Sequence, residues 1–515
     1  MSEKKSRRKA ILLILDGWGL NHDYPGNAIT QAKTPFYDQL IAKHPHNQLA
    51  ASGEAIGLPE GQMGTSEANH LMIGAGKVFF QDLVKINKSI EDGSIYENPA
   101  LLAAFEHVKN NSSTLHIQGL VSDGGVHSHL NHIKAVLSAA KKHGVTRIFL
   151  HVFTDGRDTL AKSALKYVKN LQDYMQEIGA GQIASISGRY YAMDRADNWD
   201  RIDKTFEVLQ GDKDNHPVYH SIEEAIEANY AADITDEFIE PALIEVDDSG
   251  EIGAVSTNDA VIYANFRADR GRELTQRLLS IKEKQNLAVT TLTSYNPDFD
   301  YQVKIGFPTE ETHNTLGEVV SKNGLKQLRV TENDKYVHIT YFLNGKREAT
   351  FEGEDRFLID SYSDIKTHDE RPEMRAPDIA ERLVQELTFE NYDFIAVNIV
   401  NADIVAHTSN IPATIKAVET IDAALVKIVP TAQEHGYDVL VTADHGNAEE
   451  MIDEKTGDAL TAHSLNDVPL ILAPAKGRKV TGFNKERGSL ADIAPTILDL
   501  LELPVPEEMT GKSLI

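Results

Sequence analysis

A chain of 515 residues, 41% apolar and 25% charged, is long enough for two or three folded domains and needs no cross-link to build a core. Its formal charge of −27 argues against nucleic acid and membrane surfaces as partners, because both are polyanions that an acidic surface repels. With no cysteine in the chain, disulfides, thiolate catalysis and cysteine metal ligands are excluded, which leaves Asp, Glu, His and Ser for any metal chemistry.

The N-terminus, MSEKKSRRKAILLILD, begins basic as a signal peptide does, but its apolar run Ala10–Leu15 stops at Asp16, too soon for export. No stretch approaches the roughly 20 apolar residues that span a bilayer. A cytoplasmic protein is expected. Short apolar runs then alternate with longer amphipathic segments, the pattern of an α/β fold with a mainly parallel sheet. Ala10–Leu15 reads as a strand that ends in Asp16-Gly17. Next comes a glycine-bearing turn, GQMGTSEANH, leading into a helix expected over Glu67–Ile73. Ser66 stands at that helix's N-terminus, where free N–H groups favour a phosphate, and its hydroxyl needs a metal or a base before it can act as a nucleophile. The alternative is that Ser66 or Thr65 serves only as the helix N-cap.

Through the middle of the chain, Leu115–Val121 precedes Ser122 to His127, and Ile148–Phe153 precedes Thr154-Asp155-Gly156-Arg157-Asp158. Ile183–Ser187 precedes Gly188-Arg189, and Val261–Phe266 precedes Arg267. These strand ends deliver a histidine and the arginines Arg157, Arg189, Arg195, Arg267 and Arg270, the side chains best suited to grip phosphate and carboxylate. Ion pairing with Asp158, Asp194 and Asp269 is the competing reading of the arginines. Lys335, in TENDKY, is on spacing alone an exposed lysine.

Toward the C-terminus the strand ends deliver acids and histidines instead. Phe394–Val400 leads to Asn401-Ala402-Asp403, with His407 four residues further, on one face if the segment is helical. Val439–Thr442 leads to Ala443-Asp444-His445, and His463 follows in a loop. Adjacent residues diverge along a regular strand, but at a strand end Asp444 and His445 can address two neighbouring metals. Asp16, Asp403, His407, Asp444, His445 and His463 form a mixed oxygen and nitrogen set suited to Mn²⁺, Zn²⁺ or Fe²⁺, and their number fits two ions better than one. Ligands of open α/β sheets bind at the carboxyl ends of the strands, so these residues could converge although they come from opposite ends of the chain. The simplest architecture is a metal-binding α/β domain assembled from residues 1–80 and 317–515. A second, arginine-bearing α/β domain is inserted from about residue 81 to about residue 316.

The segments ILDGWG (14–19), GQMGTSE (61–67), IGAG (73–76), DGGVHSH (123–129), TDGRD (154–158), GRYYAMDR (188–195), NFRADR (265–270), NADIVAH (401–407) and TADHGNAE (442–449) carry a resemblance that runs nearly end to end. In this order they resemble the cofactor-independent, or 2,3-bisphosphoglycerate-independent, phosphoglycerate mutases of the alkaline phosphatase superfamily. The resemblance implies an alkaline-phosphatase-like metal domain and a monomer that interconverts 3-phosphoglycerate and 2-phosphoglycerate in glycolysis and gluconeogenesis. It implies two Mn²⁺ ions, with other divalent metals possible, and no 2,3-bisphosphoglycerate. Asp403, His407 and His463 would hold one ion, and Asp16, Ser66, Asp444 and His445 the other. His127, Arg157, Asp158, Arg189, Arg195, Arg267, Arg270 and Lys335 would surround the phosphoglycerate. Ser66 would carry a phosphoserine intermediate, Asp158 would act as acid and base for the glycerate hydroxyls, and Lys335 would stabilise the transition state. Domain closure would keep water from the phosphoserine.

The chain departs from the family pattern at Thr65, where Asn is usual, and at Ala68-Asn69, where Val-Gly is usual. Further departures are Ala406 for Gly, Ser464-Leu465 for Thr-Thr and Leu160-Ala161 for Pro-Pro. If Asn69 replaces a glycine with positive φ, it does so at a conformational cost. Rival readings are a related metal-dependent phosphatase or phosphodiesterase, another phosphomutase, or a silent binding paralogue.

Overall fold

The computed structural model describes residues 7–247, 249–309 and 311–515. The chain divides into two compact units, Met1–Gln81 with Glu311–Ile515, and Asp82–Glu310. In chain order the first unit contributes β1 (Lys9–Leu15) and β2 (His46–Ala50). The second contributes β3 (Leu115–Leu120), β4 (Ile148–Thr154), β5 (Gln182–Gly188), β6 (Val218–Tyr219), β7 (Ala242–Ile244), β8 (Ala260–Tyr263), β9 (Ala288–Thr291) and β10 (Lys304–Ile305). The chain then returns to the first unit with β11 (Gln327–Glu332), β12 (Glu354–Ile359), β13 (Phe394–Ile399), β14 (Tyr437–Thr442), β15 (Val468–Ala473) and β16 (Arg487–Ser489).

The first unit is built on one eight-stranded sheet in the order β12-β11-β13-β1-β14-β15-β2-β16. Its pairings are parallel except where β15 runs against β14 and β2. The central strands β13, β1 and β14 are buried along their whole length apart from Lys9, as expected for parallel strands covered on both faces, which read as continuous apolar runs. Their Leu12, Phe394 and Leu440 join one core with Leu383 of the helix Ala376–Phe389, Leu425 of the helix Ile411–Glu434 and Ile497 of the helix Ile493–Leu500. Truncating any of these to alanine would cost about 2–5 kcal/mol.

A second eight-stranded sheet, β10-β9-β8-β3-β4-β5-β7-β6, organises the other unit, and here only the β5–β7 pairing is antiparallel. The expected strands all form, within one to three residues of the predicted ends. The exception in register is the β8 segment, which leaves the sheet at Tyr263, so that Ala264 to Phe266 already belong to the loop. Among the described residues no helix is long and apolar enough to cross a membrane.

Strand order is what places the chemistry. In the first sheet β11, β13, β1 and β14 are neighbours, and their carboxyl ends lead to Lys335, Asp403, Asp16 and Asp444. In the second, β8, β3, β4 and β5 are neighbours, and their carboxyl ends lead to Arg267, His127, Asp158 and Arg189.

Candidate functional site

Three backbone features deliver the acidic cluster of the first unit. Gly17 has φ +76°, and a Cβ there would lie 2.6 Å from Asp403 Cα. Only glycine therefore lets the end of β1 approach the helix Asn401–Ala406, where Asp403 N–H donates to Asp16 O at 3.0 Å. After β14 the chain turns so that Asp444 Oδ2 and His445 Nε2 lie 3.2 Å apart. The two side chains thus converge, where a continued strand would have spread them as the sequence suggested. The third feature is the helix Ser66–Ala75, which starts one residue earlier than expected, with Thr65 as its N-cap accepting from Ala68 N–H. Asn69 lies inside that helix and is absent from the residues with positive φ, so the conformational cost foreseen for it does not arise. Its buried amide instead donates to Asp444 O at 2.7 Å.

Around Ser66 the side chains converge tightly. Lys335 Nζ donates to Ser66 Oγ at 2.5 Å and to Asp403 Oδ2 at 2.9 Å, and lies 2.7 Å from Asp16 Oδ1. Ser66 Oγ also lies 2.8 Å from His445 Nε2. Ser66, Lys335, Asp16, Asp403, Asp444 and His445 are all buried. Lys335 is thus the buried centre of the cluster, where spacing alone made it an exposed lysine.

A second group adjoins the first. His407 Nε2 and His463 Nε2 lie 3.2 Å and 3.4 Å from Asp403 Oδ1 and 3.3 Å from each other. Their opposite ring nitrogens face the carbonyls of Thr461 (2.7 Å) and Gly64 (2.8 Å). This is the outer-shell arrangement that fixes a histidine tautomer and leaves Nε2 free to bind a metal. His445, stacked on His463 at 3.6 Å between ring centres, borders both groups.

Electrostatics test whether cations fit. One ammonium faces three buried carboxylates, and burial together with Asp444 pushes the Asp16 carboxyl well above its usual range. Asp403 is held well below that range because Lys335, His407 and His463 outweigh its burial, and Asp444 is lowered against burial by His445 and His70. Burial holds His445 down to about 4, which leaves a neutral ring with a lone pair to share. Asp444 Oδ2 is buried and receives no hydrogen bond. Excess buried carboxylate, neutral imidazole and free lone pairs make a donor set suited to divalent cations. Among the described residues two groups have the compactness to hold one, Asp403 with His445 and His463, and Asp16 with His70 and Asp444.

His70, Asn398 and Asn447 were not among the residues expected here. His70 lies one turn beyond Ser66 on the same helix, with Nδ1 2.8 Å from Ser66 O and 3.4 Å from Asp444 Oδ2. Asn398 donates from within β13 to Asp16 Oδ2 at 2.7 Å, and Asn447 donates to Asp403 Oδ1 at 2.8 Å. The four-residue spacing from Ser66 could have signalled His70, whereas Asn398 sits inside an apolar strand and reads as core.

In the second unit the structure gathers Arg157, Arg189, Arg195, Arg267, Arg270, His127 and Asp158. Arg189, buried at the end of β5, donates to Asp155 Oδ1 at 2.7 Å and Asp158 Oδ2 at 2.6 Å. Asp269 pairs with Arg195 at 2.9 Å and Arg267 at 3.1 Å, and His127 lies between Asp269 (3.7 Å) and Asp158 (3.9 Å). Asp194 pairs outside the group, with Arg201. Burial and then the charges of Arg189, Arg195 and Arg157 lower the Arg270 guanidinium, and burial and Arg189 push His127 down to about 4. The competing ion pairs therefore exist, Arg157 facing Glu237 at 3.4 Å as well, while the neighbouring guanidiniums still lower Arg270. Lys335 belongs to the other unit's cluster.

Comparison with known proteins gives a consistent result. Residues 86–297 match the family model described as BPG-independent PGAM N-terminus. A 2,3-bisphosphoglycerate-independent phosphoglycerate mutase of Clostridium botulinum (strain ATCC 19397 / Type A) is 44% identical over 519 residues, spanning 99% of this chain and 100% of the relative. The protein of the same name from Clostridium novyi (strain NT) is 45% identical over 517 residues, spanning 99% of each. Among solved structures, a phosphoglycerate mutase of Leishmania mexicana, determined at low cobalt concentration, is 28% identical with a TM-score of 0.53, covering 99% of this chain and 98% of that one.

Proposed function

We propose, for a chain that belongs to the 2,3-bisphosphoglycerate-independent phosphoglycerate mutase family, that it interconverts 3-phosphoglycerate and 2-phosphoglycerate through a phosphoserine at Ser66. The observation that carries this reading is the position of Ser66 Oγ, buried between Lys335 Nζ at 2.5 Å and His445 Nε2 at 2.8 Å, at the first residue of a helix.

Asp403, His407 and His463 would hold one divalent cation, and Asp16, Ser66, Asp444 and His445 a second, with His70 supporting Asp444. When bound, such ions would lower the pKa of the serine hydroxyl and neutralise phosphoryl oxygens; the mixed oxygen and nitrogen set accepts manganese, zinc or iron, and the family resemblance points to manganese. In the first half-reaction the Ser66 alkoxide oxygen would bond the phosphorus as the substrate's C3 O–P bond breaks, and protonated Asp158 would give its proton to the departing C3 oxygen. In the second, Asp158 would take the proton of the C2 hydroxyl as that oxygen bonds the phosphorus and the Ser66 Oγ–P bond breaks, which returns the Ser66 alkoxide and the protonated Asp158. Lys335, kept charged by Asp16, Asp403 and Asp444 against its burial, stays beside Ser66 Oγ through both steps. Arg189 fixes the Asp158 carboxylate through Oδ2 and leaves its other oxygen for the proton. The remaining arginines and His127 recognise the phosphate and carboxylate of the substrate.

The same reading makes the protein a cytoplasmic glycolytic monomer, so light scattering should return the mass of one chain. The activity test is turnover of 3-phosphoglycerate by metal-stripped protein resupplied with Mn²⁺, followed by enolase coupling and by free phosphate. Manganese-dependent 2-phosphoglycerate formation that Ser66→Ala abolishes, with no free phosphate, is expected. Phosphate release would mean a phosphatase, and no turnover of either kind would overturn the proposal.

A further inference from the structure

Glu449 ends the TADHGNAE segment and is fully buried, which raises its pKa above the usual range, yet the groups that bond it carry no formal charge. Oε2 accepts from Gly19 N–H at 3.0 Å and from Asn447 N–H at 2.8 Å. Oε1 accepts from Asn466 Nδ2 at 3.0 Å and from the Ser464 hydroxyl. These donors come from three separate loops. Gly19 follows Asp16 by three residues, Asn447 follows His445 by two, and Ser464 is adjacent to His463. Asn447 extends the connection to a fourth, since its side chain donates to Asp403 Oδ1 at 2.8 Å. Two glycines make room for this arrangement, because a Cβ at either Gly19 or Gly446 would fall on the Glu449 carboxylate.

We infer that Glu449 is a positioning residue that fixes the loops bearing Asp16, Asp444, His445 and His463 in the geometry that binds the two cations. The inference rests on the metal-site reading given above. A buried carboxylate is costly unless its lone pairs are all engaged, and here four donors engage them. The return is rigidity: four candidate ligands from three chain segments are referred to one side chain, which bears on preorganisation of the site more than on the fold of the sheet.

The test is Mn²⁺ titration of the metal-stripped full-length protein, followed by the electron paramagnetic resonance signal of free Mn²⁺, for wild type, Glu449→Ala, Glu449→Gln and Ser464→Ala. Glu449→Ala should weaken both sites by about 10–100-fold, the effect typical of lost outer-shell partners. Glu449→Gln keeps an acceptor for Gly19 and Asn447 and should restore part of that loss. Ser464→Ala loosens only the His463 loop and should weaken one site alone, a split that a general loss of stability would not produce. Unchanged affinities in Glu449→Ala would overturn the inference, as would equal weakening of both sites by Ser464→Ala. If Glu449→Ala does not fold, wild-type affinity in both Glu449→Gln and Ser464→Ala overturns it. A wild type that binds no Mn²⁺ would remove the metal-site reading itself, whereas an inference that fails alone leaves wild-type binding intact.

Discussion

The two units solve opposite electrostatic problems with the same architectural device. Each brings the carboxyl ends of four neighbouring strands together, but the first unit gathers three buried carboxylates around one lysine, and the second gathers five arginines around three aspartates. The first cluster carries excess negative charge and is completed by cations. The second interleaves arginines with acids, and in the function proposed above its guanidiniums receive an anion. In a chain of net charge −27, the arginines that follow β4, β5 and β8 are the side chains suited to a phosphorylated acid.

The sharpest way to break the comparison is to remove the lysine. Lys335→Met leaves Asp16, Asp403 and Asp444 without a counter-charge, which should destabilise the metal-free protein by about 3–5 kcal/mol. Mn²⁺ should then raise the melting temperature of the variant more than that of wild type, while kcat falls on the order of 10²–10³-fold. Equal metal-free stabilities would show that the lysine does not balance the acids.

In the second unit Arg189→Ala should unpair Asp155 and Asp158 and lower kcat/KM by about 10–100-fold, corresponding to charged hydrogen bonds of about 1.5–3 kcal/mol. Manganese affinity should stay at the wild-type value. A change in metal binding would mean that the clusters are not separable in the way their chemistry suggests.

Base should unsettle the first unit of the metal-free protein more than the second, whereas acid should unsettle both, because burial also lowers His445 to about 4 and His338 to about 3 in the first unit. Asp403 overrides burial to push His463 up to about 9, and it raises His407 as well. A histidine whose folded pKa is raised contributes stability present below its unfolded value near 6.5 and lost as pH rises through the folded value. In the second unit burial pushes His127 down to about 4 and His132 to about 3, and burial with His116 lowers His151. Those rings take up protons only on unfolding, so their contribution is complete above about 6.5 and is lost as pH falls toward the folded values. Hydrogen exchange should show β13, β1 and β14 losing protection from pH 6.5 toward 9, and β3, β4 and β5 losing it from pH 6.5 toward 4. Equal loss of protection in both units from pH 6.5 toward 9 would contradict the assignment. With Mn²⁺ present, activity should fall in mild acid as protons compete for His407 and His463, whose affinity for a proton Asp403 raises.

The smallest effect concerns the nucleophile helix. Thr65→Ala removes the N-cap bond to Ala68 N–H and should cost about 1 kcal/mol of stability with little change in KM, measured by denaturant unfolding.

What could be read from the sequence was whatever the strand pattern delivers directly. Asp16, Asp403, Asp444, Arg189 and Arg267 each follow an apolar run, so their location at a sheet edge was legible from periodicity and turn residues. Their adjacency was not, because the order β11-β13-β1-β14 is a long-range property that no local window contains. Lys335 was legible only through the family resemblance and not from spacing, for a related reason: its segment looks solvated, and the three acids from other strands explain its burial. Glu449 has no signature of its own in the sequence, because its partners are backbone N–H groups and small polar side chains, which leave no pattern there. The antiparallel β15 likewise carries the same apolar run as its parallel neighbours, so its direction is set by chain connection and not by composition.

The most direct test of the account is peptide mass spectrometry on Mn²⁺-loaded enzyme mixed with 3-phosphoglycerate and quenched in acid within a turnover. The account predicts a phosphoryl group on the peptide containing Ser66, absent from Ser66→Ala. Turnover with the phosphoryl group on another residue, or with none captured while Ser66→Ala remains active, would contradict it.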